Sequence, residues 1–393
     1  MAAAPLQGIT IVSIEQAVAG PFATRHLADL GARVIKIERP DGGDFARAYD
    51  ATVKGLASWF VWLNRTKESV TLDLKRPEAA AILDRLLRGA DVFLQNLAPG
   101  ATDRLGLSAA ELRARYPRLI VCNISGYGTG GPYAGKKAYD LLIQSEVGLL
   151  SITGTEDTPS KVGISIADIS AGMYAYSGIL AALLTRARTG EGTVLDVALL
   201  DTLGEWMTYA ALYTGYGGTA PPRTGATHAT IAPYGPYRTR DGAVVVAVQS
   251  NREWSEFCVH VLRQPALASD ARFETNALRV RHREALTQAI DLAFSQLQSA
   301  EVLGRLEAAD LATANVNSVQ EYLQHPQLTQ RDCWREIESP AGPLRVLVPP
   351  VRMEGAEPVM GAVPALGQHT KAVLEQLAFD PDAIARWAES GVI

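Results

Sequence analysis

With 393 residues, 47% hydrophobic, 20% charged and a net charge of −5, the chain has the composition of an ordinary globular protein. That length exceeds what one hydrophobic core usually fills, so two domains are expected, and the acidic balance disfavours nucleic acid as a partner. Cys122, Cys258 and Cys333 are too few and too scattered for a disulfide framework or a metal cluster, which points to a reduced, cytoplasmic setting. The stretch from Met1 to Gly8 lacks the basic flank and apolar core of a secretion signal, and no run reads as a membrane span.

Gly8 to Ile14 is a β-branched run that predicts a strand, followed by the loop Glu15 to Gly20 and a helix opened by Pro21 and closed by Gly31. Ala32 to Arg39 predicts a second strand, stopped by Pro40. This is a βαβ unit, the start of a Rossmann-like sheet. Glu38 falls where a dinucleotide-binding fold holds a ribose, but the turn has no G-x-G-x-x-G, which argues against that ligand. The alternation continues with strands at 69–74, 90–96 and 118–125 and helices at 77–88 and 108–116, the last capped by Ser108. The glycine-rich loop Gly126 to Pro132 is a weak phosphate signal. Helices are expected at 138–150 and from Asp168 to Arg188, then a strand at 193–198 and a helix containing Trp206.

Breakers from Gly217 to Gly225 suggest a linker, and Asp241-Gly242 a hairpin turn between two strands. Helices follow at 253–262, 280–296 and 299–308. The tail holds a strand at 344–348, helices at 369–377 and 381–390, and a 358–369 stretch long enough to return to the first domain. The fold class is therefore α/β. A large Rossmann-like domain comprises 1–215 and 335–393, joined by a 216–225 linker to a smaller α+β domain at 226–332.

Asp168 is a lone carboxylate at the start of an uncharged apolar helix. It suits an N-cap, which is the commoner use, or a nucleophile or base kept ionised by the helix N-terminus, with Ala171 and Gly172 leaving room for a substrate. The six histidines show no ligand spacing, no metal is implied, and no G-x-S-x-G elbow occurs. Cys122, inside an apolar strand, reads as core. Arg39, Lys75, Arg104, Lys136 and Lys137 each follow a predicted strand, on the sheet edge where open α/β folds bind ligands. Solvated surface charge is the alternative reading for each.

A series of motifs spanning the chain then carries a resemblance. Ala19-Gly-Pro-Phe-Ala and Leu27 to Pro40, Gly43-Asp44-Phe-Ala-Arg47, Asn64 to Lys75, Gln95-Asn-Leu-Ala-Pro-Gly100, Ser125 to Pro132, Ala138 to Gln144, the Asp168 helix and Pro364 to Thr370 together resemble the class III CoA-transferases. The resemblance implies that Asp168 attacks an acyl-CoA thioester, giving a mixed anhydride and then an aspartyl-CoA thioester from which a carboxylic acid collects CoA. It implies coenzyme A contacts at Val18, Ala19, Arg39, Leu72, Lys75, Asn96, Leu97, Arg104, Lys137 and Tyr139, with oxyanion donors from the Gln16 to Gly20 loop and the start of the Asp168 helix. CoA thioesters are then substrates, no cofactor is tightly bound, and an interlocked homodimer is expected.

The sequence departs from the formyl-CoA member, which has glutamine where Val18 aligns and a tetraglycine flap absent here; Gln16 is the possible replacement. Related α-methylacyl-CoA racemases carry histidine at the position of Tyr139, and tyrosine is a poor exchange base near neutrality. Transfer is thus expected over racemisation, and a non-catalytic CoA-binding role ranks last because Asp168 is intact. Gly55 to Arg65 and Thr227 to Gly235 are most similar to transferases acting from succinyl-CoA on itaconate, mesaconate or citramalate. The cation for a distal carboxylate is sought among Arg47, Arg223 and His228.

Overall fold

The computed structural model describes residues 4–393; the first three residues of the stretch read above for an export signal lie outside them. The chain groups into two units, one formed by 1–147, 162–208 and 328–393, the other by 148–161 and 209–327. The 148–161 segment, read above as part of the large domain, thus groups with the second unit. The expected 216–225 linker falls inside that unit, and the helix Thr208–Gly217 occupies part of the breaker-rich stretch.

In the first unit β1 (Thr10–Ile14), β2 (Arg33–Glu38), β3 (Lys67–Thr71), β4 (Val92–Gln95), β5 (Ile120–Ser125) and β6 (Val194–Ala198) form one sheet in the order β3-β2-β1-β4-β5-β6. Every pairing is parallel, as Rossmann topology requires. Mostly apolar runs make the inner strands β1, β2, β4 and β5, because a parallel sheet is covered on both faces. On one face Val12, Ile35, Val70, Phe93 and Val121 pack with Ile82 and Leu86 of the helix Glu78–Arg88, and with Val373, Leu374 and Ile384 near the C-terminus. Elsewhere in the unit the helix Ile166–Thr189 packs on the helix Ala19–Asp29, on β5 and on β6.

Gly172 is where those two helices meet. A Cβ there would stand 2.8 Å from the Ala19 carbonyl oxygen and 3.0 Å from Phe22 Cδ1. Its missing side chain therefore admits protein backbone, correcting the expectation that it makes room for a substrate. Ile166–Thr189 is also long and apolar enough to cross a membrane by length and composition, contrary to the sequence reading, though it packs as a core helix.

The expected helix at 138–150 is broken at Gly148, whose φ of +78° ends the run, giving Asp140–Glu146 and Leu149–Ile152. The short helix Ser58–Asn64 was not anticipated. In the second unit β7 (Tyr234–Arg238), β8 (Ala243–Ala247) and β9 (Ala312–Asn315) form an antiparallel sheet, with the Asp241-Gly242 turn as expected. Its core joins Val244, Val246, Trp254, Phe257 and Phe294.

The final segment of the first unit pairs β10 (Trp334–Ile337) with β11 (Leu344–Leu347) and then returns to the edge of the large sheet. Thr66 N–H donates to Ala362 O, Gly367 N–H to Ser69 Oγ, His369 N–H to Ser69 O, and Thr71 N–H to Thr370 Oγ1. The tail thus covers the otherwise open side of β3.

Candidate active site

Strand order reverses between β1 and β4, and the loops leaving these two strands are tied together there. The Asn96 side chain accepts from Gln16 N–H at 2.8 Å and donates to Gln16 O at 2.9 Å. On the other side, Asp44 Oδ1 accepts Ala17 N–H at 2.9 Å, holding Ala17 at a left-handed φ of 61°. Asp44 Oδ2 is 2.7 Å from Lys36 Nζ, which is fully buried and also reaches the Glu15 carbonyl. Glu15 in turn pairs with buried Lys67 at 2.7 Å. Buried charges are tolerated because each has a partner. Together they fix the backbone of residues 15–17.

No acceptor among the described residues takes the N–H groups of Val18, Ala19 and Gly20, at the positive end of the helix they open. Val18 and Ile169 belong to one apolar cluster and Gly172 packs on the Ala19 carbonyl, so these donors lie in the turn next to the first turns of the Asp168 helix. The sequence reading extended the oxyanion donors to Gln16 and to the Asp168 helix. Those N–H groups are already occupied: Gln16 by Asn96, Ala17 by Asp44, and Ala167 and Asp168 by Asp140 Oδ1 at 2.8 and 3.4 Å.

Asp168 is not an N-cap. The helix starts at Ile166 after Ser165, and Asp140, held by Gln144 Nε2 at 2.6 Å, caps it from a distance. The Asp168 carboxylate accepts no hydrogen bond among the described residues, and burial, followed by the negative charge of Asp140, raises its pKa to about 7. The helix N-terminus was expected to keep this acid ionised; desolvation outweighs it. Tyr49 lies close enough for Asp44, Asp168 and Tyr139 to raise its own pKa, after the larger effect of burial. Asp140, Asp44 and Tyr49 were missed as site residues because their roles depend on partners distant in sequence.

The raised pKa makes a pH prediction. A group that must be ionised to attack gives a kcat/KM for acyl-CoA that climbs about tenfold per pH unit and levels off near pH 7. Asp140→Asn removes the like charge while keeping an acceptor oxygen, so the acid limb should move to lower pH. An unmoved limb would exclude Asp140 as a cause.

The expected coenzyme A residues all follow the carboxyl ends of parallel strands. Arg39, Lys75, Arg104, Lys137 and Tyr139 are exposed, Tyr139 by 70%. Arg39 donates to Gly43 O. Val18, Ala19 and Leu72 are buried, so they offer backbone rather than side chain; Leu72 N–H already bonds Glu38 O. Leu97 packs partly against the core, and the Asn96 side chain is engaged by Gln16. Lys136 is paired with Glu146 at 2.6 Å.

Arg47, one of three cations considered for a distal carboxylate, instead forms a bidentate pair with Glu38 at 2.8 and 2.7 Å and stacks on Phe60 at 3.7 Å. Burial pushes the Glu38 pKa up, but the Arg47 pair, the charge of Lys36 and the Ser69 hydroxyl hold it down to about 2, and Arg47 and Ser69 occupy the acceptors a ribose would need. Arg223 and His228 lie in the second unit. Among the described residues Arg223 donates to the carbonyls of Ser151, Thr155 and Glu156 alone, and His228 stacks on Tyr234 at 5.2 Å. Burial pushes the Cys122 thiol up to about 12, in keeping with a core cysteine. Among the described residues, no group of three His, Cys, Asp or Glu is placed to hold a metal ion.

A Rossmann-type sheet, cations along its carboxyl edge and a buried carboxylate on the helix that packs against Ala19–Asp29 place the protein among α/β enzymes with a site at the sheet's carboxyl edge. The comparisons make this specific: residues 6–370 match the model of CoA-transferase family III, and the chain belongs to that family. It is 34% identical over 398 residues to succinyl-CoA:glutarate CoA-transferase of Mus musculus, covering 99% of this chain and 90% of that one. It is 31% identical over 387 residues to succinyl-CoA–D-citramalate CoA-transferase of Chloroflexus aurantiacus, covering 95% and 94%. A CaiB/BaiF family protein from Brucella suis superposes with a TM-score of 0.85 at 33% identity, covering 96% of this chain and all of that one.

Proposed function

We propose that this CoA-transferase moves CoA from succinyl-CoA to a C4 or C5 dicarboxylic acid through covalent intermediates on Asp168. The observation that carries the mechanism is an unpaired carboxylate one helical turn before Gly172, which packs against Ala19, the start of a helix whose first N–H groups are unpaired among the described residues. Asp168 attacks the thioester carbonyl, the C–S bond breaks, and CoA thiolate leaves behind a mixed anhydride. The thiolate then attacks the aspartyl carbonyl, releasing the donor acid and forming an aspartyl-CoA thioester. The acceptor carboxylate attacks this thioester in turn, and the returning thiolate takes the acceptor's acyl group, regenerating Asp168. No net proton is consumed. Negative charge on each tetrahedral oxygen is stabilised by the N–H groups of Val18, Ala19 and Gly20.

Arg39, Lys75, Arg104 and Lys137 grip the phosphates of coenzyme A, with Leu72, Leu97 and Tyr139 alongside and Asn96 acting through the Gln16 loop. For the distal carboxylate, among Arg47, Arg223 and His228, charge alone favours Arg223. It is neutralised by no carboxylate among the described residues, whereas Arg47 is already paired with Glu38. Itaconate, mesaconate and citramalate remain favoured acceptors, and the mouse relative adds glutarate. The protein works in the cytoplasm as an interlocked homodimer. Exposed Met173, Leu184 and Trp206 on the first unit, and Tyr209, Leu212 and Tyr216 on the second, support such an assembly.

Purified protein with succinyl-CoA and, separately, glutarate, itaconate, mesaconate, citramalate, malate or oxalate should give a new acyl-CoA on chromatography with at least one C4 or C5 dicarboxylate. If none accepts CoA while the α-proton of a branched acyl-CoA exchanges with deuterium, racemisation replaces this reading.

A further inference from the structure

Gln16 is held by its backbone, while its side chain has nothing to bond. Both backbone polar groups are locked to Asn96, yet Oε1 is buried and has no hydrogen-bond partner. No described residue pairs with its Nε2 either. Leaving a buried acceptor unpaired in a tightly fixed loop is unfavourable, and such a group is explained when a ligand completes it.

The chemistry of that ligand follows from the position. Gln16 is bonded to Asn96, in the loop after β4 that leads to Arg104, and is followed by Ala17 and Val18, which share an apolar cluster with Ile169, the neighbour of Asp168 in sequence. A CoA thioester that places its phosphates at that edge and its sulfur at Asp168 must run its pantetheine arm between them. The arm carries two secondary amides, each with one N–H and one C=O. An ionised dicarboxylate can accept from Nε2 but has no hydrogen for the buried Oε1, whereas an amide, with one N–H and one C=O, can answer both groups.

Resting on the transferase reading above, we infer that the Gln16 carboxamide recognises a pantetheine amide, with Oε1 accepting its N–H. Gln16 then serves thioester recognition, not the acceptor acid.

The test begins with wild-type turnover of succinyl-CoA, which checks the underlying reading by itself. In Gln16→Leu, KM for succinyl-CoA should rise about 3- to 10-fold, the range of one neutral hydrogen bond, with kcat and acceptor KM unchanged. With the succinyl thioester of a plain alkanethiol, which has no amide, wild type and variant should have equal kcat/KM. A penalty that persists with the amide-free thioester, or that falls on the acceptor's KM, overturns the assignment. Gln16→Glu, which keeps the size and an acceptor oxygen, serves the same comparison if the leucine variant does not fold. Its loss should be smaller with succinyl-CoA and absent with the alkyl thioester.

Discussion

Asp168→Asn should lower kcat by at least about 10³-fold while leaving CoA binding within about twofold, because it removes the attacking oxygen and little of the binding surface. Intact mass after incubation with succinyl-CoA should show a covalent adduct on wild type, mapping to the Asp168 peptide, and none on the variant. Retained turnover, or an adduct elsewhere, would sink the mechanism. The same variant should be more stable at alkaline pH. Asp168 has a pKa near 7 folded and about 3.9 unfolded, so between these values the folded protein holds a proton that the unfolded chain has lost. Its contribution to stability is full below about pH 4 and falls as pH rises to about 7. Discounted for partial exposure, the gain for Asp168→Asn at pH 8 is on the order of 2 kcal/mol. At pH 4 the two proteins should melt alike.

Gly172→Ala should destabilise the protein even though alanine favours an isolated helix by about 1 kcal/mol. The new Cβ would press on the Ala19 carbonyl and the Phe22 ring, so Gly172→Val should cost about 2–3 kcal/mol or more. Because Ala19 carries one of the unpaired N–H groups, kcat should fall along with the urea midpoint. A more stable alanine variant would show that the two helices separate freely.

The parallel sheet was legible because most of its strands are apolar, β-branched runs bounded by turn signals, and helix signals stand between them. Ser108 with Glu111 forms the capping box its spacing suggests, and Gly31 adopts the positive φ of a helix terminator. Lys67, by contrast, sits in β3 as a buried residue, where its charge reads as a surface position; its one charged partner among the described residues, Glu15, is 52 residues away. Asp168 was legible as an isolated acid in an apolar helix. Its freedom from capping was not, since that depends on Asp140, 28 residues earlier, and on the Asp140 clasp by Gln144. Arg47 looked available for a substrate because nothing local shows that Glu38 claims it.

The return of the tail to β3 sets an order of events during synthesis. The six strands are complete once β6 emerges, yet the segment that shields β3 follows the whole 209–327 insertion. A nascent chain therefore carries a bare hydrogen-bonding edge throughout translation of the second unit, the interval in which strand-to-strand aggregation is most open to it. Messages truncated after that insertion would yield products that keep the sheet and cannot close it.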